Sequence, residues 1–478
     1  METQEHPSLR RANLDGSKVL FIAYFFPPTS STGVPGSLRT VKFLRNLENG
    51  EFHVLTVPDN LGSQQNALNH LSLPVNHENI HRVVPWDIFK TLLAARKRLK
   101  RSLNRLGKVT ASAETPTESQ ASSYTFKNDK SDQITPGRFQ RLKDFVYNLC
   151  YFPDQAGPWI LPAVRYGRKL VRKEGIDVIF ATGSPWSGLV IGYLISKASG
   201  KPLIADFRDP WINNPFHHSK GKWLDSIAKT LERKVVHHAS IISLNTEPLR
   251  DDFITRFPEQ DPEKFLTLPN GFDPSDSTDL STTKDTDDKI LTLCHTGFLY
   301  GVRDPSTLLE VIREANAELS TDNLKIRLIQ VGAVNLSYKI EERFKELIDS
   351  ETYISKGKLS QRDCLIEQSK ADILVNIQPF TKTQIPSKLY EYLQLNKAIV
   401  NITPKDGALG KIIIKDQLGI VFENGEESEM KNFLLCAARN RESLNDVRPV
   451  NTRKYRIDKI TDTLSEKIVN LKRRQHYG

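Results

Sequence analysis

After Lys18 the chain alternates short runs of β-branched and aromatic residues with stretches whose apolar positions recur at helical spacing. Phe52–Val57, Ile176–Gly183, Lys201–Phe207 and Ala239–Asn245 read as buried strands. AVRYGRKLVRKEG and SGLVIGYLISKASG read as helices that stop at a glycine. Alternating strands and helices of this kind build a parallel sheet wrapped by helices. The run from Asp273 to Asp288 then loses nearly all apolar character and reads as a linker. After it the pattern restarts with KILTLCHTGFLYGVRDPSTLLEVIREAN, again a strand, a glycine-bearing loop and a helix. Two α/β halves of similar plan are therefore predicted, with ligands expected where two such sheets form a cleft at the carboxyl ends of their strands.

One segment breaks the alternation. Lys90–Lys108 carries eight basic residues and no acidic one, and a Ser/Thr-rich stretch follows it to about Thr135. Together they read as a flexible insertion. The final pattern, DKITDTLSEKIVNLKRR, spaces Ile460, Leu464, Ile468 and Leu471 as one helical stripe that needs a surface to cover it.

Composition narrows the class without choosing a function. With 478 residues, 38% hydrophobic and 26% charged, the chain suits a folded protein of two or three domains. No apolar run approaches the ~18 residues that cross a bilayer, and the first residues lack the apolar core of a secretory signal. Cys150, Cys294, Cys364 and Cys436 are widely spaced, which reads as reduced thiols of a cytoplasmic protein. A formal charge of +10 fits an anionic partner: nucleotide, membrane surface or nucleic acid.

Candidate chemistry sits at four places. The stretch KVLFIAYFFPPTSSTGVPGSLRT runs from a strand through a bare loop with Gly33 and Gly36 into a helix. Such a loop lets a phosphate approach a helix N-terminus, although turn punctuation alone would also account for it. IADFRDPWINN puts Asp206, Arg208 and Asp209 at a strand's carboxyl end, where they could hold sugar hydroxyls or form a structural cluster under Trp211. HTGFLYGVRDP offers Gly297 for close backbone approach and Arg303 as a phosphate clamp. QIPSKLYEYLQLNKAIV starts a helix at Pro386-Ser387 and sets Lys388 and Glu391 three apart on one face, with Leu389, Tyr392 and Leu393 turned to the sheet. A cation for phosphate oxygens beside a carboxylate for ribose hydroxyls suits a nucleotide; an ordinary ion pair is the alternative. The pairs His217-His218 and His237-His238 lack the carboxylate pattern of a metal centre, and no metal is expected.

Taken in order, FIAYFFPPTSSTGVPGSLRTVKFL, ADFRDPW, LPNGFD, HTGFLYGVRDPSTLL, ISKGKLSQRDCLIEQSKADILVNIQP and PSKLYEYLQLNKAIV resemble a GT-B glycosyltransferase of the family 4 type. The resemblance implies two Rossmann-like domains: an acceptor-binding one at 17–275 with the insertion at 90–135, and a donor-binding one at 289–450. A linker at 276–288 joins them, and 451–478 crosses back to the first. It implies transfer of a sugar from a nucleotide-sugar to a glycan or lipid-linked acceptor in cell-surface polysaccharide biosynthesis, with retention and without a metal or other cofactor. Glu391 resembles the second glutamate of the family's E-x7-E motif, and Thr383 stands in the place of the first. Lys388 and Arg303 resemble the diphosphate binders, and Gly357 and Lys358 lie in the segment that reads the base. Gly33 and Gly36 fall in the loop that approaches the donor phosphates. Arg208-Asp209 occupy the place of a histidine common in relatives, leaving Asp206 or Asp209 to take over sugar contacts.

Two other functions fit parts of the pattern: a nucleotide-sugar epimerase or hydrolase on the same fold, and a basic nucleic-acid-binding protein. The second is weakened because the excess charge gathers in one insertion without aromatic interleaving. Lys90–Lys108, with leucines along one side, is instead expected to dock the protein on the inner face of the cell membrane.

Overall fold

The computed structural model describes residues 11–28, 34–58, 71–87, 89, 91, 138–214, 219–277, 287–380, 382 and 385–477. Gly33, Thr383, His217, His218 and the 90–135 insertion apart from Thr91 lie outside the described residues. The chain divides into two compact units, Met1–Leu268 with Leu464–Gly478, and Pro269–Thr463.

The first unit is built on a seven-stranded sheet in the order β3-β2-β1-β4-β5-β6-β7. Its strands are β1 (Ala12–Ile22), β2 (Leu47–Thr56), β3 (Asn79–Arg82), β4 (Val178–Gly183), β5 (Leu203–Phe207), β6 (Ile241–Leu244) and β7 (Phe265–Thr267). Every pairing is parallel. Every residue of β4, β5 and β6 is buried, as parallel strands covered on both faces must be. The helices Ile160–Glu174 and Ser187–Ser199 end at Gly175 and Gly200, where their sequences predict. Trp159, Trp211, Phe207 and Phe253 fill the core between sheet and helices.

The second unit repeats the plan with six strands in the order β12-β10-β8-β13-β14-β15. They are β8 (Ile290–Thr296), β10 (Lys325–Val331), β12 (Tyr353–Ser355), β13 (Ile373–Ile377), β14 (Ala398–Ile402) and β15 (Ile420–Phe422), all parallel. A two-stranded parallel pair, β9 (Leu299–Tyr300) with β11 (Val334–Asn335), extends from the carboxyl ends of β8 and β10. One apolar cluster containing Leu293, Leu309 and Val375 and another containing Cys294, Tyr392 and Ile399 occupy the two faces of the sheet.

Both units thus carry the doubly wound order in which successive strands run outward in one direction, return to the middle and run outward in the other. In this arrangement the reversal point, between β1 and β4 or between β8 and β13, opens a crevice at the carboxyl ends of the strands.

The boundary at Leu268–Pro269 cuts through LPNGFD. Phe272 donates to the Tyr455 carbonyl at 2.9 Å and accepts from the Ile457 N–H at 2.8 Å, which holds this segment within the second unit. The last helix, Ile457–Tyr477, begins in the second unit, and from Leu464 onward it belongs to the first. Ile460, Leu464, Ile468 and Leu471 are buried along it.

Candidate active site

The reversal point of the second unit is cross-braced by side chains. His295, the penultimate residue of β8, is 4% exposed, and its Nδ1 lies 2.8 Å from the Val375 carbonyl of β13. A carbonyl only accepts, so Nδ1 carries the proton and Nε2 presents a lone pair. Burial, with the nearby charges of Arg303 and Lys388 in support, lowers the imidazole pKa to about 4, so the ring is neutral at neutral pH. Among the described residues Nε2 has no hydrogen-bond partner. The space over it is kept by a glycine: a Cβ at Gly297 would sit 3.1 Å from Nε2.

The helix Lys388–Gln394 is fastened to the same point. Leu389, Tyr392 and Leu393 are buried as the sequence predicts. The Tyr392 hydroxyl accepts from the Thr296 N–H at 3.0 Å and lies 3.3 Å from the Val375 carbonyl, to which it donates. That leaves Lys388 and Glu391 on the opposite flank, 2.6 Å apart and only 27% and 14% exposed. Burial opposes the charge on Lys388, but the Glu391 carboxylate outweighs it and raises the lysine pKa above its ordinary value. The ion pair that ordinary helix spacing predicts is therefore present, sheltered from solvent rather than on an open face.

The carboxyl edge of the same sheet holds further buried polar atoms that find no partner among the described residues. Arg303 rests over the Tyr300 ring at 5.4 Å, and its Nε is buried and unpaired. Gln378 and Thr403 follow directly on β13 and β14, whose last residues are register partners. Both are buried to within 1% exposure, and the Gln378 amide and the Thr403 hydroxyl find no partner among the described residues. A buried polar group without a partner costs ~1–3 kcal/mol, so several at one edge mark a place that a polar ligand can satisfy. Gly297, Gly332 and Gly357 draw the neighbouring loops together: Gly332 donates to the Gly357 carbonyl at 2.7 Å. Gly332 has φ +134°, and a Cβ there would lie 2.0 Å from the Gly297 carbonyl oxygen, so only glycine fits. Lys358 is exposed beside Gly357, and Lys356 is paired with Glu367 at 2.7 Å.

The structure thus brings Arg303, Lys388, Glu391 and Gly297 to one edge of the second unit. His295, Gln378 and Thr403 join them without having been singled out from the sequence. Their signal was positional, since each lies in the last two residues of a strand of the doubly wound sheet or directly follows one.

The first unit treats its predicted residues differently. Asp206, at 0% exposure, accepts from Arg39 Nε (2.9 Å) and Nη2 (2.8 Å), from Thr182 (2.7 Å) and from Ser243 (2.6 Å). Burial pushes its carboxyl upward, yet the Arg39 charge and these hydrogen bonds outweigh burial and hold it below the usual range. With both oxygens doubly engaged, Asp206 has no lone pair to offer a sugar; it anchors the helix Val34–Asn46, which bears Gly36 and Arg39. Arg208 donates to the Gly183 and Ser184 carbonyls and braces that turn. Asp209 lies exposed. His237 and His238 turn to different partners, Glu259 and Ser196. Elsewhere in this unit Glu51, His53 and Glu174 hold one ligand atom each within 4.8 Å of one another. Lys18 and Lys173, each 2.7 Å away, already neutralise the two carboxylates.

Residues 125–276 match the family described as Glycosyltransferase Family 4. No curated protein matches the chain in sequence. Among solved structures, Anabaena HepE in complex with UDP and glucose is similar at 13% identity and a TM-score of 0.52, covering 96% of this chain and 98% of that one. The lipopolysaccharide outer core galactosyltransferase WaaB is similar at 11% identity and a TM-score of 0.52, covering 96% and 99%. The N-terminal domain of Candida albicans trehalose-6-phosphate phosphatase reaches a TM-score of 0.57 at 13% identity, covering 95% and 97%. These likenesses carry the fold: two doubly wound parallel α/β units of the GT-B glycosyltransferase kind.

Proposed function

We propose, from the match of residues 125–276 to the family described as Glycosyltransferase Family 4, that the second unit binds a nucleotide-sugar and the protein transfers its sugar to a glycan or lipid-linked acceptor. The observation that carries this reading is the convergence of Arg303 and Lys388 on the neutral His295 at the β8–β13 reversal point, with Glu391 beside them. Two cations meet the diphosphate; Glu391 accepts the ribose hydroxyls; Nε2 of His295 accepts from a hydroxyl. Gly357 and Lys358 line the approach for the base. Fixed positive charge stabilises the departing nucleoside diphosphate as the glycosidic bond to it breaks, without a proton donor. HepE, whose structure holds UDP and glucose, supports a uridine donor as the first to try.

The resemblance drawn from the sequence extends the proposal to retention of configuration without a metal, and to cell-surface polysaccharide synthesis at the cytoplasmic face of the membrane. By the same resemblance, Gly36 belongs to the loop assigned to the donor phosphates, and Asp209 is assigned the sugar contact that Asp206 cannot make. A thermal-shift screen of nucleoside diphosphates and nucleotide-sugars tests the core of this reading. A bound member at 100 times its Kd raises stability by ~2.7 kcal/mol, and a screen without a single shift refutes nucleotide binding.

A further inference from the structure

Arg303 enters the candidate site on a short arm that is pinned at both ends. The arm begins with β9, whose register with β11 sets Leu299 opposite Val334 and Tyr300 opposite Asn335. The Arg303 N–H donates to the Tyr300 carbonyl, closing a tight turn over Gly301 and Val302. Asp304 then accepts from the Ser306 N–H at 2.9 Å and from the Tyr338 hydroxyl at 2.6 Å, which ties the turn to the helix Ser306–Leu319. The backbone is therefore fixed on both sides of Arg303, and the direction of its guanidinium depends on side-chain contacts alone.

Tyr300 supplies such a contact. The Arg303 guanidinium carbon lies 5.4 Å from the centroid of the Tyr300 ring, within cation–π range. The Phe298 ring adjoins the Tyr300 ring in turn, with centroids 5.1 Å apart. Among the described residues no carboxylate is paired with Arg303, and its buried Nε has no hydrogen-bond partner. The difference between the two kinds of partner matters for an anionic ligand. A carboxylate would orient the guanidinium but cancel its charge and occupy its N–H donors. An aromatic face orients the planar cation and leaves charge and donors for the ligand. It also restricts the side chain before binding, so less rotamer freedom is lost when the ligand arrives.

We propose that Tyr300 is a positioning residue whose ring aims Arg303 at the diphosphate of the bound nucleotide. Tyr300 itself touches no phosphate; it acts through Arg303, and it acts through the face of its ring rather than its hydroxyl. The inference rests on the nucleotide-binding reading above and names a further residue of that same site.

Calorimetric titration of the full chain with UDP and with uridine, which lacks the phosphates, is the test. Tyr300→Leu should weaken UDP binding roughly 3- to 30-fold, the range of a partly desolvated cation–π contact, and leave the uridine Kd unchanged. Tyr300→Phe keeps the ring face and should bind UDP as the wild type does. The decisive variant combines Tyr300→Leu with Arg303→Gln. With no guanidinium left to aim, the double variant should bind UDP no more weakly than Arg303→Gln alone. Three results overturn the proposal: a wild-type UDP Kd in Tyr300→Leu, equal losses for UDP and uridine, or losses that add in the double variant. Equal losses would mean that Tyr300 only supports the fold around the site. The two readings fail separately. Wild type that binds UDP while Tyr300→Leu is unaffected removes the role of Tyr300 alone, whereas wild type that binds no nucleoside diphosphate overturns both.

Discussion

The two units share a strand plan and differ in how they treat the same place in it. At the carboxyl edge of the first, Asp206 and Arg39 close a network in which every lone pair of the carboxylate is used. At the carboxyl edge of the second, His295, Gln378, Thr403 and Arg303 keep buried polar atoms without partners. Among the described residues, every such orphan outside the second unit reduces to one, the Trp159 indole nitrogen. A satisfied network gains nothing from a polar ligand, whereas an unsatisfied one recovers its desolvation cost when a ligand arrives. The same topology thus yields a braced scaffold in one half and a waiting site in the other.

The sharpest way to break that contrast is to unpair the scaffold. Arg39→Ala strands a fully buried carboxylate, a change that costs ~3–5 kcal/mol. Denaturant unfolding should show the first unit melting early, while nucleotide binding by the second persists. A stability equal to wild type would mean that Asp206 is not the structural anchor described above.

His295 supplies the next effect through pH. Its folded pKa of about 4 lies below the 6.5 of an unconstrained imidazole. The unfolded chain therefore binds more protons between those values, and stability should be full above pH 6.5 and fall as pH drops toward 4. At 1.36 kcal/mol per unit the loss approaches ~3 kcal/mol. His295→Gln should flatten this slope relative to wild type; parallel curves for the two proteins would show that the ring is not buried neutral.

Glu391→Ala removes the proposed acceptor of the ribose hydroxyls, worth ~1.5–3 kcal/mol, or a ~10- to 150-fold loss of donor affinity. Calorimetric titration of donor into the folded variant measures it, and an unchanged Kd rules the assignment out. Asp209→Asn, at an exposed carboxylate of the scaffold unit, should leave stability within ~0.5 kcal/mol and lower turnover about tenfold, the worth of one lost hydrogen bond. Unchanged turnover would remove Asp209 from the sugar contacts.

The elements that define the fold are legible in the sequence because their cause is local. β4, β5 and β13 are short, mainly apolar runs bounded by polar or glycine-bearing segments, and the helix Lys388–Gln394 turns Leu389, Tyr392 and Leu393 inward by spacing alone. The nearness of Lys388 and Glu391 follows from the same spacing. What sequence does not reveal is pairing across long separations. Asp206 meets Arg39 across 167 positions, and without that partner an aspartate at a strand end reads as a ligand group. His295 reads as any strand residue until the Val375 carbonyl, 80 positions on, fixes its tautomer and leaves Nε2 open. Hydrogen-bond satisfaction is a property of the folded neighbourhood, and it separates the two units where residue type does not.

The claim that the nucleotide sits at the β8–β13 edge rests on the open space over His295, and Gly297→Val fills that space. Isothermal titration with UDP, or with whichever nucleoside diphosphate shifts the melting point most, should find wild type binding. The folded variant should bind at least tenfold more weakly, because the new side chain starts from a Cβ only 3.1 Å from Nε2. A Gly297→Val protein that binds the nucleotide with the wild-type Kd would contradict the account.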